Sequence, residues 1–242
     1  MKMKKTFSIF AASLLLVGLL SGTAMAQDEA TVFIVHGIPG IDLNLDPELP
    51  VDIAVDGGCA LQNFKFGELA GPLSLPAGTY NIQIKLADLA NPCGGTTVIE
   101  ADVPFEANEK CTVIAHLTEE GGITASKFTH DLSPIKRNKA RILMHHAANA
   151  PGVDVTWIPM VDDISQRMNQ KDEFELGDKY QIEVRPFPDN SWRMSLGPRG
   201  TGITIFSQDF KFKDFTAYGI FAVGSVTNGT FRLIVNTIEG VK

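Results

Sequence analysis

Short runs in which apolar and polar residues alternate recur along most of the chain. Tyr80, Ile82, Ile84 and Leu86 fall on one side of such a run, and Asn81, Gln83 and Lys85 on the other. Tyr180, Ile182 and Val184 repeat the pattern against Gln181, Glu183 and Arg185. Val51, Ile53 and Val55, and again Val153, Val155 and Trp157, alternate with Asp and other residues in the same way. Successive side chains of a strand point to opposite faces, so this is the signature of strands with one buried face. Turn signals such as Gly57-Gly58, Gly94-Gly95, Gly121-Gly122 and Asn228-Gly229 punctuate the runs. No long amphipathic helix competes with them, and the best helical turn is over residues 161–169. The chain is predicted to be all-β.

The pattern is written twice. Residues 31–36 (TVFIVH) resemble 140–145 (ARILMH), and 50–53 (PVDI) resemble 152–155 (GVDV). Residues 79–84 (TYNIQI) match 179–184 (KYQIEV), and 102–105 (DVPF) match 209–212 (DFKF), in the same order. Two copies of about 100 residues, each with seven or eight short strands, predict two tandem immunoglobulin-like antiparallel β-sandwich domains. The expected division is a signal peptide over 1–26, a first sandwich over 27–133, a linker over 134–139 and a second sandwich over 140–242.

The motifs at 36–40 (HGIPG), 49–57 (LPVDIAVDG), Phe66-Gly67 and 75–80 (LPAGTY) resemble the bacterial family known as domain of unknown function 4397. The second copy resembles it more loosely, through 145–155 (HHAANAPGVDV) and Tyr180. The resemblance implies exported or surface-associated β-sandwich proteins and carries over no catalytic residue.

Lys2, Lys4 and Lys5 precede an apolar run over residues 7–20, and Ala24 and Ala26 supply small residues for cleavage after position 26. This is the layout of a secretory signal, and the run is short of the roughly 20 residues a spanning helix needs. No transmembrane anchor is expected in the mature chain, and the predicted location is the periplasm or the outside of the cell. Losing the three lysines moves the formal charge from −7 to −10. Such an acidic surface repels phosphate backbones, so nucleic acid is not an expected partner.

An oxidising compartment favours disulfides. Cys59 and Cys93 both sit at turn positions, whereas Cys111 starts a strand where the second copy has Tyr218. A Cys59–Cys93 bridge is expected, closing a loop worth about 3 kcal/mol in the chain-entropy model, with Cys111 left as a buried thiol.

Three further sets carry candidate chemistry. Asp42, Asn44 and Asp46 place oxygen ligands at every second position, as a calcium loop does, although Pro47 and Ile53 exclude an EF-hand. His145 and His146 suit copper or zinc, against the fact that neighbours on a strand face opposite ways. His36 and His145 are read as equivalent positions, where an imidazole can hydrogen-bond a nearby loop. Trp192 and Arg193, in a segment read as a loop over 191–202, form an aromatic–basic pair suited to binding. No nucleophile elbow, zinc-protease motif or phosphate-binding loop occurs, so no cofactor is expected. The leading expectation is a non-enzymatic exported protein that binds a protein or glycan partner or serves a structural role. A periplasmic metal- or small-ligand-binding protein and a hydrolase are the competing readings.

Overall fold

The computed structural model describes residues 28–161, 169–187 and 191–241. The proposed signal peptide and most of the helical turn read over 161–169 lie outside the described residues; Asn169 itself opens a strand. Eight strands form a first unit: β1 (Glu29–His36), β2 (Val51–Val55), β3 (Gly58–Phe64), β4 (Leu69–Pro76), β5 (Gly78–Leu86), β6 (Thr97–Phe105), β7 (Lys110–Leu117) and β8 (Ile123–Thr129). Eight more form a second: β9 (Ala140–His146), β10 (Val153–Pro159), β11 (Asn169–Phe174), β12 (Lys179–Val184), β13 (Trp192–Pro198), β14 (Phe206–Phe210), β15 (Ala217–Val223) and β16 (Arg232–Ile238).

Each unit is a sandwich of two four-stranded sheets with one strand order. The first has β4-β1-β7-β8 over β3-β2-β5-β6; the second has β12-β9-β15-β16 over β11-β10-β13-β14. The expected antiparallel pairing holds except at one place in each, where β1 runs parallel to β7 and β9 parallel to β15. A one-turn 3-10 helix (Gly40–Leu43) interrupts the β1–β2 connection.

The shared Val-Asp motif has a local cause. Asp52 is buried, and its carboxylate accepts the Asn63 N–H at 2.8 Å and the Cys93 N–H at 2.7 Å. Asp154 does the same for Glu173 at 3.2 Å and Gly200 at 2.7 Å. In both units the carboxylate stitches an irregular β2–β3 or β10–β11 ladder to the loop beyond the next strand. In the first unit the Cys59–Cys93 disulfide fastens that loop again.

Two sequence alignments are corrected by the strand order. The counterpart of β5 in the second unit is β13, not β12, so Tyr80 and Tyr180 stand on non-equivalent strands. The first strands match with a one-residue offset: Gly67 donates to the His36 carbonyl as Gly177 donates to that of His146, both at 2.8 Å. His36 therefore corresponds to His146 rather than His145. Both strands are apolar on both faces, and a run without alternation carries no mark of register.

The two units pack through their inner sheets. Val35 and Ile114 of the first meet Ala147, Phe221, Val223 and Ile234 of the second in one buried cluster, with Phe66 at its border under the Arg232 guanidinium. The four sheets thus stack in one pile, the outer two half-exposed and the inner two covered on both sides. The segment expected as a linker is fastened too. Ile135 is buried with Leu143, Ala217 and Val241, and the Arg141 guanidinium holds the carbonyls of Asp131 and Ser133.

The bridge closes a 34-residue separation. Replacing Cys59 and Cys93 by Ser should cost about 2–5 kcal/mol, as loss of a native bridge in a small exported domain does. Denatured wild-type protein should titrate one thiol, mapped to Cys111; three thiols would contradict the pairing.

Candidate functional site

Every histidine is buried. His36 ends β1, and the paired β7 and the turn at Gly67 hold it against the β1–β2 connection. Its Nε2 donates to the Leu49 carbonyl at 2.8 Å, and its Nδ1 accepts the Ile38 N–H at 3.3 Å. This is the loop-fixing duty expected of it. His146 does the equivalent work with the Pro151 backbone, against the Phe174 ring. His116 is engaged at both nitrogens, by the Leu117 carbonyl at 2.8 Å and the Ser126 hydroxyl at 2.9 Å. His130 shares a 2.8 Å hydrogen bond with Thr112.

His145 is different. It projects from β9 into the seam between the units, stacked on Phe221 at 5.2 Å, with Phe128 at 4.5 Å and His130 at 6.0 Å. Neither of its ring nitrogens has a hydrogen-bond partner among the described residues. Burial, then the neighbouring His130 and Lys179, push its pKa down to about 3. Burial likewise takes His130 to about 4. His146 also falls to about 4, burial outweighing Pro151 and Asp178, with His116 adding to the fall.

The expected His145–His146 metal pair is therefore not assembled. The two rings lie on opposite faces of β9, one in the seam and the other beside Phe174 within the second sandwich. Among the described residues no three His, Cys, Asp or Glu side chains gather as a metal set. Cys111 is fully buried, and burial, with Glu109 adding to it, pushes its thiol up to about 12. A thiol held that far from ionisation is not a nucleophile at neutral pH.

Asp42, Asn44 and Asp46 take three separate duties. Asp42, in the 3-10 turn, crosses to the second unit, where its carboxylate accepts the Asn228 amide and the Thr230 hydroxyl. Asn44 closes that turn in the left-handed conformation, with φ of 57°. Asp46 accepts the Glu48 N–H at 2.9 Å. Asp42 instead borders a polar cleft of about 310 Å³ between the units, with Glu119, Glu120, Asn149, Ser225 and Asn228. No sequence signal links these residues, because Asp42 and Asn228 are 186 positions apart.

The Trp192–Arg193 reading is corrected. Residues 192–198 are strand β13, and Trp192 is 3% exposed. Its indole N–H donates to the Arg185 carbonyl at 2.8 Å and its ring stacks on Phe187. Trp192, Met194 and Leu196 alternate inward, a pattern the surrounding turn residues masked. Arg193 faces solvent and forms a two-pronged pair with Asp209 of β14 at 2.7 and 2.9 Å.

Unfolded imidazoles titrate at about pH 6.5. Below that pH the unfolded chain takes up protons that buried His130, His145 and His146 refuse until about pH 4, 3 and 4. Stability is whole above pH 6.5 and is lost progressively toward pH 4–3, at about 1.4 kcal/mol per unit of depression and per ring. The melting temperature should fall steeply on acidification. His145→Phe, a ring of similar shape without nitrogens to desolvate, should raise it and shrink the acid loss. A wild-type melting temperature flat from pH 7 to 4 would contradict the buried neutral rings. Trp192→Ala should destabilise the second sandwich by about 3–5 kcal/mol, the usual cost of emptying an aromatic core position; an unchanged melting curve would restore it as a surface residue.

Comparison with solved structures finds distant likenesses. A proposed cell adhesion protein from Bacteroides ovatus aligns over 86% of this chain and 96% of its own, at 10% identity and a TM-score of 0.28. A second protein of that description, from Bacteroides fragilis, aligns over 89% and 99%, at 10% identity and a TM-score of 0.25. A leucine-rich repeat protein from Bacteroides thetaiotaomicron aligns over 81% of this chain and 26% of its own, at 12% identity and a TM-score of 0.20. Likenesses this weak assign no role. No curated protein matches the chain. The model of the family described as domain of unknown function DUF4397 matches residues 30–156, over half of the chain and from β1 into β10, and the chain belongs to that family.

Proposed function

We propose that the protein is an exported, non-enzymatic binding or structural component of the cell envelope or the space outside it. The observation that carries this reading is where the reactive side chains are spent. His36 fixes a loop at both ring nitrogens, His116 is hydrogen-bonded at both, and the Cys111 thiol is buried and protonated. The histidines and the thiol are buried between and beside the sheets and do not face solvent. The Cys59–Cys93 bridge suits an oxidising compartment. Two sandwiches joined through a buried seam form a stiff body, and loops on such a body are free to carry contacts. A protein or glycan is the partner class such loops suit.

The test has two arms. In the native host, fractionation and N-terminal sequencing should place the chain outside the cytoplasm with Gln27 first; a cytoplasmic chain retaining Met1 would overturn the export reading. Purified mature protein, immobilised and offered peptidoglycan, lipopolysaccharide and a glycan array, should retain one class saturably. It should turn over none of a panel of ester, peptide and glycoside substrates. Turnover abolished by a point substitution would replace this reading with an enzymatic one.

A further inference from the structure

The two units share a strand order but fill their interiors differently. Strand pairing fixes the correspondence. Val55 lies opposite Ile82 across β2–β5 as Trp157 lies opposite Met194 across β10–β13. Val32 lies beside Cys111 as Ile142 lies beside Tyr218. One strand further, Val103 of β6 takes the place of Phe210 of β14. At all three places the first unit carries the smaller residue: Val55 for Trp157, Cys111 for Tyr218, and Val103 for Phe210.

A cavity of about 200 Å³ lies between the sheets of the first sandwich, and of these three positions Val55 is the one in its lining. Its walls include Val32, Ile34, Val55, Ile82, Ile84 and Phe105. Along one edge of this unit β6 and β8 are in contact. The opposite edge belongs to β3 and β4, where Ala60, Leu73, Ser74 and Leu75 border the cavity, Ala60 and Ser74 being exposed. In the second unit the strands of that edge, β11 and β12, approach each other more closely than β3 and β4 do.

The chemistry of the walls restricts an occupant. His36 is the titratable group among them, and both of its nitrogens are already bonded. The Ser74 hydroxyl, at the edge, donates to the exposed Glu29 carboxylate. Nothing inside offers a hydrogen bond, so what enters is hydrocarbon, and a polar end must stay at the β3–β4 edge beside Glu29. An engineered apolar cavity of about 150 Å³ stays dry and takes benzene. By that scale this one takes about eight carbon atoms.

We propose that the first sandwich binds a slender alkyl or acyl chain between its sheets, admitted between β3 and β4. The site lies away from the loops of the envelope role and stands whether or not the protein meets an envelope partner. Full-length mature protein with ¹³C-labelled methyl groups is titrated with 1-octanol. Saturable shifts are expected at Val32, Ile34, Val55 and Ile82, with Ile142 and Ile220 of the second sandwich unmoved. Val55→Trp, which borrows the second unit's residue, should abolish the shifts. Val32→Ile borrows Ile142 and adds one methylene group to the wall, and should weaken octanol binding roughly fourfold, as if one methylene of the chain were left outside; it decides the matter should Val55→Trp fail to fold. Absence of saturable shifts, equal shifts in both sandwiches, or undiminished binding by a folded variant would overturn the site. Octylamine and octanoate, run in parallel with extraction of labelled short-chain phosphatidylcholine from vesicles, separate the sources. Extraction assigns a membrane lipid tail, binding of the soluble amphiphiles alone assigns a free chain, and binding of none of these ligands overturns the proposal.

Discussion

The contact between the two inner sheets is the constraint on which the rest of the molecule depends. It buries β1, β7, β9 and β15 on both faces, so each must be apolar throughout, and any polar side chain among them must be satisfied or tolerated at a cost. Thr112 and the Nε2 of His130 satisfy each other, and His116 is bonded at both nitrogens. Arg141 meets Glu183 and Asp131 while tying down the segment between the units. His145 is tolerated: a ring in a stack of aromatic rings with both nitrogens unpartnered among the described residues. Such a group is stabilising as a flat apolar plate and destabilising as a base, and which of the two prevails is set by pH.

The same constraint explains what the sequence disclosed. The strands recognised by alternation include β5 and β10, which belong to outer sheets and are less covered on one face. Two-sided burial erases alternation in β1 and β9, and with it the register. That is why residues 31–36 align plausibly with 140–145 although the ladder pairs them one residue later. Tyr80 and Tyr180 were joined for a related reason: β5 and β12 each alternate behind a tyrosine, and alternation states a face without stating which sheet bears it. The Cys59–Cys93 bridge was readable because turn signals placed both residues in loops. Trp192 was not, because Asn190 before it and Gly197 beyond it suggested a loop around a short inward-facing triplet.

The candidate site was less legible than the fold. Asp42 looked like the first ligand of a local loop, yet its hydrogen bonds lead to Asn228 and Thr230 in the other unit. Local spacing describes what neighbours along the chain can do together, whereas this cleft is made by docking two units. The histidines were legible as structural elements, since His36 holds a loop by the means its position suggested. The cavity left no mark in any single strand. It becomes visible only when the residues of one unit are set beside their counterparts in the other.

A void inside a sandwich persists only if its walls cannot move together, since relaxation of the surroundings is what reduces the cost of missing volume. Here both walls are held from outside the cavity. One is the inner sheet β4-β1-β7-β8, where Val32 and Ile34 face the void while Val35, between them and the chain's next turn, is locked against the second unit. The other is the outer sheet β3-β2-β5-β6, tied across its β2–β3 and β5–β6 connections by the buried Asp52 carboxylate and by the Cys59–Cys93 bridge. In the second unit the corresponding aspartate acts without a disulfide, and Trp157 stands at the place of Val55, packed against Phe210 and Phe212. The two sandwiches therefore apply one topology to different ends: a solid aromatic interior in the second, and in the first two braced walls that keep an apolar space open.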